Sequence, residues 1–499
     1  MNPAATPDAA MNAQDDSALA RMPVEVLLRI TRFVPTVDLS NVRLTCRVIE
    51  RNLFNFFAHE FFRKKQFMVS TPSLQALIDI SNHHSLSPFL KHVIICTDRL
   101  AEIHGYQQPT DPQKRQNFRR AHADQANLLS TGLLRDMLAE AFSALPNLEV
   151  IDLRDFYSRT RNRDGVNAEW RSYGSRMLRE STGVAVNATA SSSGLYDTYP
   201  TQIFTAITAA LATSERQPNS IEVLLRHRNW GLFDHAFAIP SRLEPKLAPI
   251  LANLKTLHLT LCINYESFMI QDFLAMARNV SWLRLNFNYV SRVSMDQEPG
   301  PMLLKWVAHP ESDTPISDVD RKSIPFPNLI RFDIGNADLT ARTIVKLVTK
   351  FSPTLEHLSM RRVILFGTTR EREEKLNPWE GLFNSMKKIR GILRVLELSE
   401  LQHSSLDPGN FPGSVAFQRS SDSPTLEAHS SFMGTTDRMS FEALIQTIND
   451  RMICRWPGRH NRGTWDVEME VDSEEVEEDE NEDEDEDEDE NEDEDLDED

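Results

Sequence analysis

Cysteine is scarce in this chain of 499 residues. Its four cysteines lie far apart and no two have the spacing C-x-x-C; they are Cys46, Cys96, Cys262 and Cys454. This scarcity argues against a disulfide framework or a zinc module and favours a reducing compartment. Cys96 ends the apolar run Val93–Cys96, which predicts a thiol buried in a strand rather than a nucleophile.

Long apolar runs are also missing. No window approaches the roughly 18 consecutive apolar residues that a membrane span requires. The first twenty residues contain acidic side chains and no apolar run, so they do not predict a secretory signal. We therefore expect a cytoplasmic or nuclear protein that has no membrane partner.

Short catalytic motifs are a third absence. The chain contains no G-x-x-x-x-G-K-[ST], H-E-x-x-H, G-x-S-x-G or G-x-G-x-x-G. The one pair of adjacent histidines, His83 and His84, lies in a polar stretch, which favours a surface turn over a metal site. We expect a protein that is not an enzyme and that carries neither a cofactor nor a metal.

Acidic charge is concentrated at one end of the chain. The formal net charge is −20, but Asp466 to Asp499 contains 26 acidic residues and no Lys or Arg. The rest of the chain carries 54 basic residues against the remaining 48 acidic ones, a formal charge of +6. Self-repulsion and the near absence of apolar residues predict a disordered tail over 466–499. Its role is either solubility or competition for a basic surface.

Seven arginines mark a basic loop in the middle of the chain: Arg154, Arg159, Arg161, Arg163, Arg171, Arg176 and Arg179. Few aromatic residues alternate with them, unlike the stacking platforms of proteins that bind nucleic acids. We therefore expect a solvated loop, or one that contacts the acidic tail, rather than a nucleic-acid site.

Residues 22–47 predict two short helices that meet at a proline corner. Pro23 is suited to start the first helix, Pro35 ends it, and Asp38 is predicted to cap the second. Apolar residues recur at helical spacing in three stripes: Val26, Ile30, Phe33 and Val34; Leu39, Val42 and Cys46; Ile49, Leu53, Phe56, Phe57 and Phe61. About forty residues cannot bury so many apolar side chains alone, so part of this surface must meet a partner.

The same residues resemble an F-box, especially the fungal type. The resemblance rests on Met-Pro-x-Glu-Val-Leu-x-x-Ile, then Asp-Leu, then Val-Arg-Leu-Thr-Cys-Arg, with Met22 in place of the usual Leu. It implies that the segment docks on the Skp adaptor and through it on a cullin. The residues expected to form or support that contact are Met22, Pro23, Val26, Leu27, Ile30, Leu39 and Val42. The alternative is an ordinary three-helix corner of a larger core.

An alternation of helix and strand follows. The pattern L-x-x-L-x-L, with Ile, Phe or Met at some positions, begins at 148, 254, 280, 329, 355 and 393, with a weaker copy at Ile221. A helical stripe and a Pro, Asn or Ser break precede several copies, and two of the intervals are 26 residues. Such units stack into a solenoid. The region resembles the irregular leucine-rich repeats of fungal F-box proteins; the alternative is an ordinary α/β domain with a parallel sheet.

The predicted fold class is α/β, with a three-helix F-box, an irregular leucine-rich-repeat-like solenoid and a disordered acidic tail. The predicted domains are a disordered 1–17, an F-box over 18–62, a repeat domain over 63–460 and the tail over 466–499. Polar insertions at 104–125, 156–200, 292–325 and 402–440 are predicted to be mobile loops.

Side chains alternate along a strand, so residues between the aliphatic positions are predicted to share one outward surface. That row comprises Asp152, Arg154, His258, Thr260, Arg284, Asn286, Asp333, Ser359, Arg361 and Glu397. Its mixed charge predicts a site for a protein substrate; the alternative is an ordinary hydrated sheet face.

Three functions follow as hypotheses. The resemblance implies a substrate receptor of an SCF-type ubiquitin ligase, in which other subunits perform the catalysis. The second is an F-box adaptor that binds Skp without directing degradation. The third takes the tail as primary and predicts a chaperone for histones or other basic proteins.

Overall fold

The computed structural model describes residues 18–100, 109–158, 162–164, 171–186, 198–227, 230–263, 267–288, 301–309, 324–404, 412–418, 428–437 and 439–456. Within them the chain is a mixed α/β protein with one large, mostly parallel sheet. The segments 1–17 and 466–499, predicted to be disordered, lie outside the described residues.

Three helices form the helical unit at the start of the described chain: α1 (Val24–Thr31), α2 (Thr36–Arg43) and α3 (Arg47–Phe62). Their buried core is small and consists of Leu27, Leu39, Ile49 and Leu53. The predicted cap at Asp38 is wrong, because α2 begins directly after Pro35 and Asp38 lies inside its first turn. The carboxylate of Asp164 binds the Thr36 amide instead.

The main sheet contains ten strands. In spatial order these are β1 (Lys64–Met68), β2 (His92–Cys96), β3 (Val150–Arg154), β4 (Ser220–Leu224), β5 (Thr256–Leu261), β6 (Trp282–Phe287), β7 (Arg331–Gly335), β9 (His357–Arg361), β11 (Val395–Ser399) and β15 (Ser431–Thr435). The first nine are parallel and each lies beside the next main strand along the chain, whereas β15 is antiparallel to β11. Sequential parallel pairing requires a crossover between strands, which the helices provide.

The helices after β1 are α4 (Thr71–Asn82), α5 (Pro112–Ser130), α6 (Leu133–Ala144), α7 (Ser175–Thr182), α8 (Tyr199–Ser214), α9 (Glu244–Asn253), α10 (Phe268–Met276), α11 (Met302–Ala308), α12 (Ala341–Phe351), α13 (Thr369–Glu373), α14 (Pro378–Met386) and α15 (Phe441–Arg451). Single 3₁₀ turns occur at Asn162–Asp164 and Asp234–Phe237. The apolar stripes of most of these helices and the alternate aliphatic residues of the strands form one large core, and a second, smaller cluster consists of Met68, Cys96, Leu100, Phe118 and Val186. The polar strand positions therefore lie on the opposite face of the sheet.

A second, smaller sheet is formed by short strands, most of which follow the last strands of the main sheet. Its order is β14 (Ala428–His429), β13 (Gly413–Gln418), β12 (Gln402–His403), β10 (Ile364–Phe366) and β8 (Asp338–Thr340), and β16 (Met452–Arg455) pairs with β13. The residues that follow β7, β9 and β11 share a left-handed backbone, with φ of 50° at Asn336, 53° at Arg362 and 50° at Glu400. The chain thus makes the same turn three times between a main strand and a short one.

The predicted strands are confirmed, and most begin two residues after the first position of the L-x-x-L-x-L pattern. The prediction of loops is wrong in part: α5 begins within 104–125 and continues to Ser130, α7 lies within 156–200, α11 within 292–325, and β13 and β15 within 402–440. Helix α5 has no clear apolar periodicity from which it could be predicted, because it buries only Phe118, Gln125 and Leu128. The pair Asp111-Pro112 carried the missed signal, since Asp111 caps the helix and Pro112 occupies its first position.

Candidate functional site

The helical unit exposes an unusual amount of apolar surface. Phe33, Leu44 and Val37 are 85%, 75% and 74% exposed, the highest values for large apolar side chains in the described chain. Val26 and Ile30 add exposures above 40%. We call these five residues of α1, α2 and the corner between them the exposed apolar face. Large apolar side chains that are exposed and close together in the chain mark a candidate interaction site.

The structure divides the residues predicted to contact the adaptor into two groups. Pro23, Val26 and Ile30 are exposed, and Met22 and Val42 are half-buried. Leu27 and Leu39 are each only 1% exposed, so they support the surface from within rather than contacting a partner. The predicted set omitted the three most exposed members of the face. The sequence did contain an indication of their exposure. Val37 and Leu44 lie outside the helical stripe of Leu39 and Val42, and a helix that buries one face does not bury both pairs.

Positive charge exceeds negative charge in the helical unit. Residues 18–63 contain seven arginines and four acidic residues. Arg29, Arg32, Arg47 and Arg51 are all exposed. The guanidinium of Arg43 lies 3.7 Å from the centre of the Phe57 ring, a cation–π contact that secures α2 to α3. The helical unit thus presents exposed apolar side chains together with an excess of positive charge.

The polar face of the main sheet carries the second predicted site. One residue per strand aligns across seven neighbouring strands, from β3 to β11, in the register Asp152, Glu222, His258, Arg284, Asp333, Ser359, Glu397. Arg154, Asn286 and Arg361 lie two residues further along their own strands. The sequence therefore placed these side chains on one face. We call the aligned set, together with Arg154, Thr260, Asn286 and Arg361, the polar row.

The expectation that the whole row faces solvent is wrong. Asp152, Arg154, His258, Thr260 and Asp333 are buried. Ion pairs offset part of the cost of this burial at Asp152, Arg154 and Asp333, whereas neither ring nitrogen of His258 has a hydrogen-bond partner among the described residues. The carboxylate of Asp152 accepts from Arg154 and lies 3.3 Å from Nε2 of His92.

A second paired group surrounds Asp333. Its Oδ2 accepts from Nε1 of Trp282 at 2.8 Å and from Nε of Arg284 at 3.1 Å. Its Oδ1 accepts from Nε of Arg331 at 3.0 Å. The guanidinium of Arg331 also lies 4.2 Å from the centre of the Trp282 ring. Asp333 is thus fully engaged within the chain and is not available to a ligand.

The buried charges shift the pKa values of their neighbours. Burial, together with the positive charges of Arg284, Arg331 and Arg154, holds the pKa of His258 well below its ordinary value. Burial would raise the pKa of Asp152, but the charge of Arg154 and the hydrogen bond from His92 bring it below its usual range. Burial would also raise the pKa of Glu397, but His357 and Arg331 outweigh this effect and lower it.

The accessible part of the polar row lies on β6 to β11. The side chains of Arg284, Arg361 and Glu397 are 27%, 38% and 23% exposed, and Asn286 is half-buried. Asn286 is held in place, since its Oδ1 accepts from Nδ2 of Asn336 at 2.7 Å. A partner that approaches this face meets the C-terminal half of the row and not its buried N-terminal half.

The basic loop is partly built into the fold. Arg154 pairs with Asp152, and Arg163 pairs with Glu60; both arginine side chains are largely buried. The expectation of a solvated loop is therefore wrong for these two residues. Arg159 and Arg161 lie outside the described residues.

Other predicted features have clear positions. Cys96 is buried in β2 as predicted, and burial raises the pKa of its thiol. Within the described residues no three His, Cys, Asp or Glu side chains are arranged to hold a metal ion. None of the helices in that part of the chain is long and apolar enough to span a membrane.

Comparison with known proteins adds no relative: neither a family model nor a curated protein matches the chain.

Proposed function

We propose that this chain is the substrate-recognition subunit of an SCF-type ubiquitin ligase. The helical unit is an F-box that binds the Skp adaptor, and through it a cullin. The sheet domain is an irregular leucine-rich-repeat-like solenoid that binds a protein substrate. Catalysis belongs to other subunits, and this chain raises the effective concentration of substrate near them.

One observation carries the proposal: the three most exposed large apolar side chains of the described residues lie together within 33–44. These residues belong to the same segment that resembles an F-box. The small core of the helical unit uses Leu27, Leu39, Ile49 and Leu53, and leaves Phe33, Val37 and Leu44 for a partner. An apolar centre with a polar rim is the usual composition of a protein interface.

The repeat interpretation is supported by the order of the strands and by the recurring turn. Nine parallel strands follow one another across the sheet. Asn336, Arg362 and Glu400 adopt the same left-handed backbone after their strands, at intervals of 26 and 38 residues. In each case the next residue, Ala337, Val363 or Leu401, is buried. A unit that buries its apolar side only against its neighbours is typical of a solenoid.

For the substrate, we propose the accessible half of the polar row: Arg284, Asn286, Arg361 and Glu397. The predicted contacts at Asp152, Arg154, His258 and Asp333 are not part of this proposal, because all four groups are buried and Asp152, Arg154 and Asp333 are paired within the chain. Charge reversal at Arg361 is the preferred probe of substrate binding, since Arg361 pairs with the part-exposed Glu400 whereas Arg284 binds the buried Asp333.

The adaptor contact is tested with the double variant Phe33→Asp, Leu44→Asp in the full chain. Each apolar side chain contributes roughly 1.5–3 kcal/mol when buried, so we expect adaptor affinity to fall by at least about a hundredfold. Titration with purified Skp adaptor measures the change. Substitution of Leu39 is avoided, because Leu39 is buried and a charge there would unfold the helical unit.

The matched control is Met177→Asp, which places the same charge at an apolar residue 52% exposed on α7. It should bind the adaptor like the wild type. Wild-type affinity of the double variant would disprove the proposed contact. Adaptor binding without cullin in the purified complex would favour the alternative of an adaptor that does not direct degradation.

A further inference from the structure

The corner between α1 and α2 is held by residues that lie more than 120 positions further along the chain. Nη1 of Arg163 donates to the carbonyl oxygen of Thr31 at 3.1 Å, and Nη2 lies 2.6 Å from Oε1 of Glu60 on α3. The carboxylate of Asp164 accepts the Thr36 amide at 2.7 Å and the Thr36 hydroxyl at 2.6 Å. Two adjacent residues thus bind all three helices of the unit.

These contacts satisfy groups that the helices themselves leave open. The first amides and last carbonyls of a helix have no partner within it. Neither helix start has a capping side chain of its own among the described residues. Pro23 precedes α1 and Pro35 precedes α2, and neither proline side chain accepts a hydrogen bond. A carboxylate at the start of α2 and a guanidinium at the end of α1 also have the signs that the helix dipoles favour.

The flanks of this segment are tied to the main sheet. Asp98 is buried beyond the end of β2 and accepts from the hydroxyls of Tyr157, at 3.0 Å, and of Ser172. The Tyr173 amide donates to the carbonyl oxygen of Gln66 on β1 at 2.8 Å. Burial and the charge of Asp98 raise the pKa of Tyr157, so its hydroxyl stays a proton donor. Arg163 and Asp164 therefore lie between two points anchored on the sheet.

The clamped corner carries the exposed apolar face. We call the pair Arg163 and Asp164 the clamp. Phe33 lies between Thr31 and Thr36, which are the two residues of the corner that the clamp binds, and Val37 directly follows Thr36. We propose that Arg163 and Asp164 are positioning residues that hold this face in its docking conformation and fix it relative to the sheet. A surface that is ordered before binding loses less conformational entropy on association. The consequence for adaptor affinity rests on the proposed function, whereas the clamp itself does not.

The test uses the full chain with Asp164→Ala or Arg163→Ala, and Arg176→Ala as control. Arg176 belongs to an exposed pair with Glu180 on α7 and binds no part of the helical unit. We expect amide hydrogen exchange over Thr36–Ser40 to quicken about tenfold in Asp164→Ala, the size expected for a lost helix cap, and exchange at the end of α1 to quicken in Arg163→Ala, which loses the bond to the Thr31 carbonyl. Adaptor affinity should fall by a similar factor, while exchange in β5 to β9 stays as in the wild type.

Conservative changes at Thr36 separate positioning from general destabilisation. Thr36→Ser keeps both donors to Asp164 and should match the wild type, whereas Thr36→Val loses the hydroxyl bond and should resemble a milder Asp164→Ala. Unchanged exchange over Thr36–Ser40 in Asp164→Ala would overturn the proposal. So would weaker adaptor binding with unchanged exchange, because Asp164 would then contact the partner itself. If the wild type binds no adaptor, the proposed function is wrong. Amide hydrogen exchange over Thr36–Ser40 still tests whether Asp164 orders the start of α2.

Discussion

At the scale of single residues, neighbours in the chain lie in very different surroundings. Val26 belongs to the exposed apolar face, whereas Leu27 lies in the core of the helical unit. The polar row shows the same contrast, since His258 is buried and its in-register neighbour Arg284 is half-exposed. Local periodicity predicted which face each strand residue occupies. It did not predict burial of the polar ones, which depends on charges supplied by adjacent strands.

His258 predicts a pH dependence of stability. Its pKa in the folded chain is well below the ordinary value of about 6.5 that applies when the chain is unfolded. As the pH falls, the unfolded chain therefore binds a proton at His258 before the folded chain does. The folded state keeps its full stability above about pH 6.5, and the free energy of unfolding decreases as the pH falls below that value. The loss is at most about 1.4 kcal/mol per pH unit.

Denaturant unfolding between pH 7 and pH 5 measures this effect against His258→Gln. The variant should lose less unfolding free energy than the wild type over this range, because one titrating group has been removed. His92 and His403, whose pKa values burial also lowers, remain in both proteins and contribute equally. Identical slopes for the two proteins would contradict the assignment.

At the scale of elements, close approach between strands sets requirements that a sequence pattern does not show. Gly335 ends β7, and a Cβ atom built there would lie 2.3 Å from Oδ1 of Asn286 on β6. That oxygen is already committed to the Asn336 side chain. Gly381 is the opposite case: it lies within α14, and a Cβ there would meet only the flexible end of Glu371, at 3.3 Å.

The two glycines therefore predict effects of opposite sign on substitution. Gly335→Ala should lower the free energy of unfolding by about 1–3 kcal/mol, because Asn286 must move or the strands must part. Gly381→Ala should raise it by up to about 1 kcal/mol, since alanine is the better helix former. Denaturant unfolding of both variants measures the difference. A gain in stability from Gly335→Ala would show that the strands are not packed this closely.

At the scale of the whole molecule, the two ends of the chain differ in what they contribute. The helical unit has a small apolar core of Leu27, Leu39, Ile49 and Leu53, and Arg163 and Asp164 bind its corner. The tail is defined by composition alone, with 26 acidic residues after Trp465. Its charge acts over distance and is screened by salt, whereas the exposed apolar face acts by contact.

Truncation after Trp465 should separate these contributions. It changes the formal net charge from −20 to +6, since 48 acidic residues remain against 54 basic ones. Adaptor binding should persist, because the F-box-like segment is unchanged. Binding of a basic protein such as a histone should change far more at low salt than at high salt. An equal change at both salt concentrations, or a loss of adaptor binding, would contradict this expectation.

The sequence by itself determined the alternation of helix and strand, the side of each strand that faces the core, and the excess apolar surface of residues 22–47. These features follow from periodicities of 2 and 3.6, which are readable within a dozen residues. Only the tertiary structure decided that Asp333 pairs with Arg284 on a neighbouring strand, and that Thr36 is bound by Asp164. Thr36 and Asp164 are 128 positions apart. Contacts over such separations depend on how the strands align in space, and no local pattern encodes that alignment.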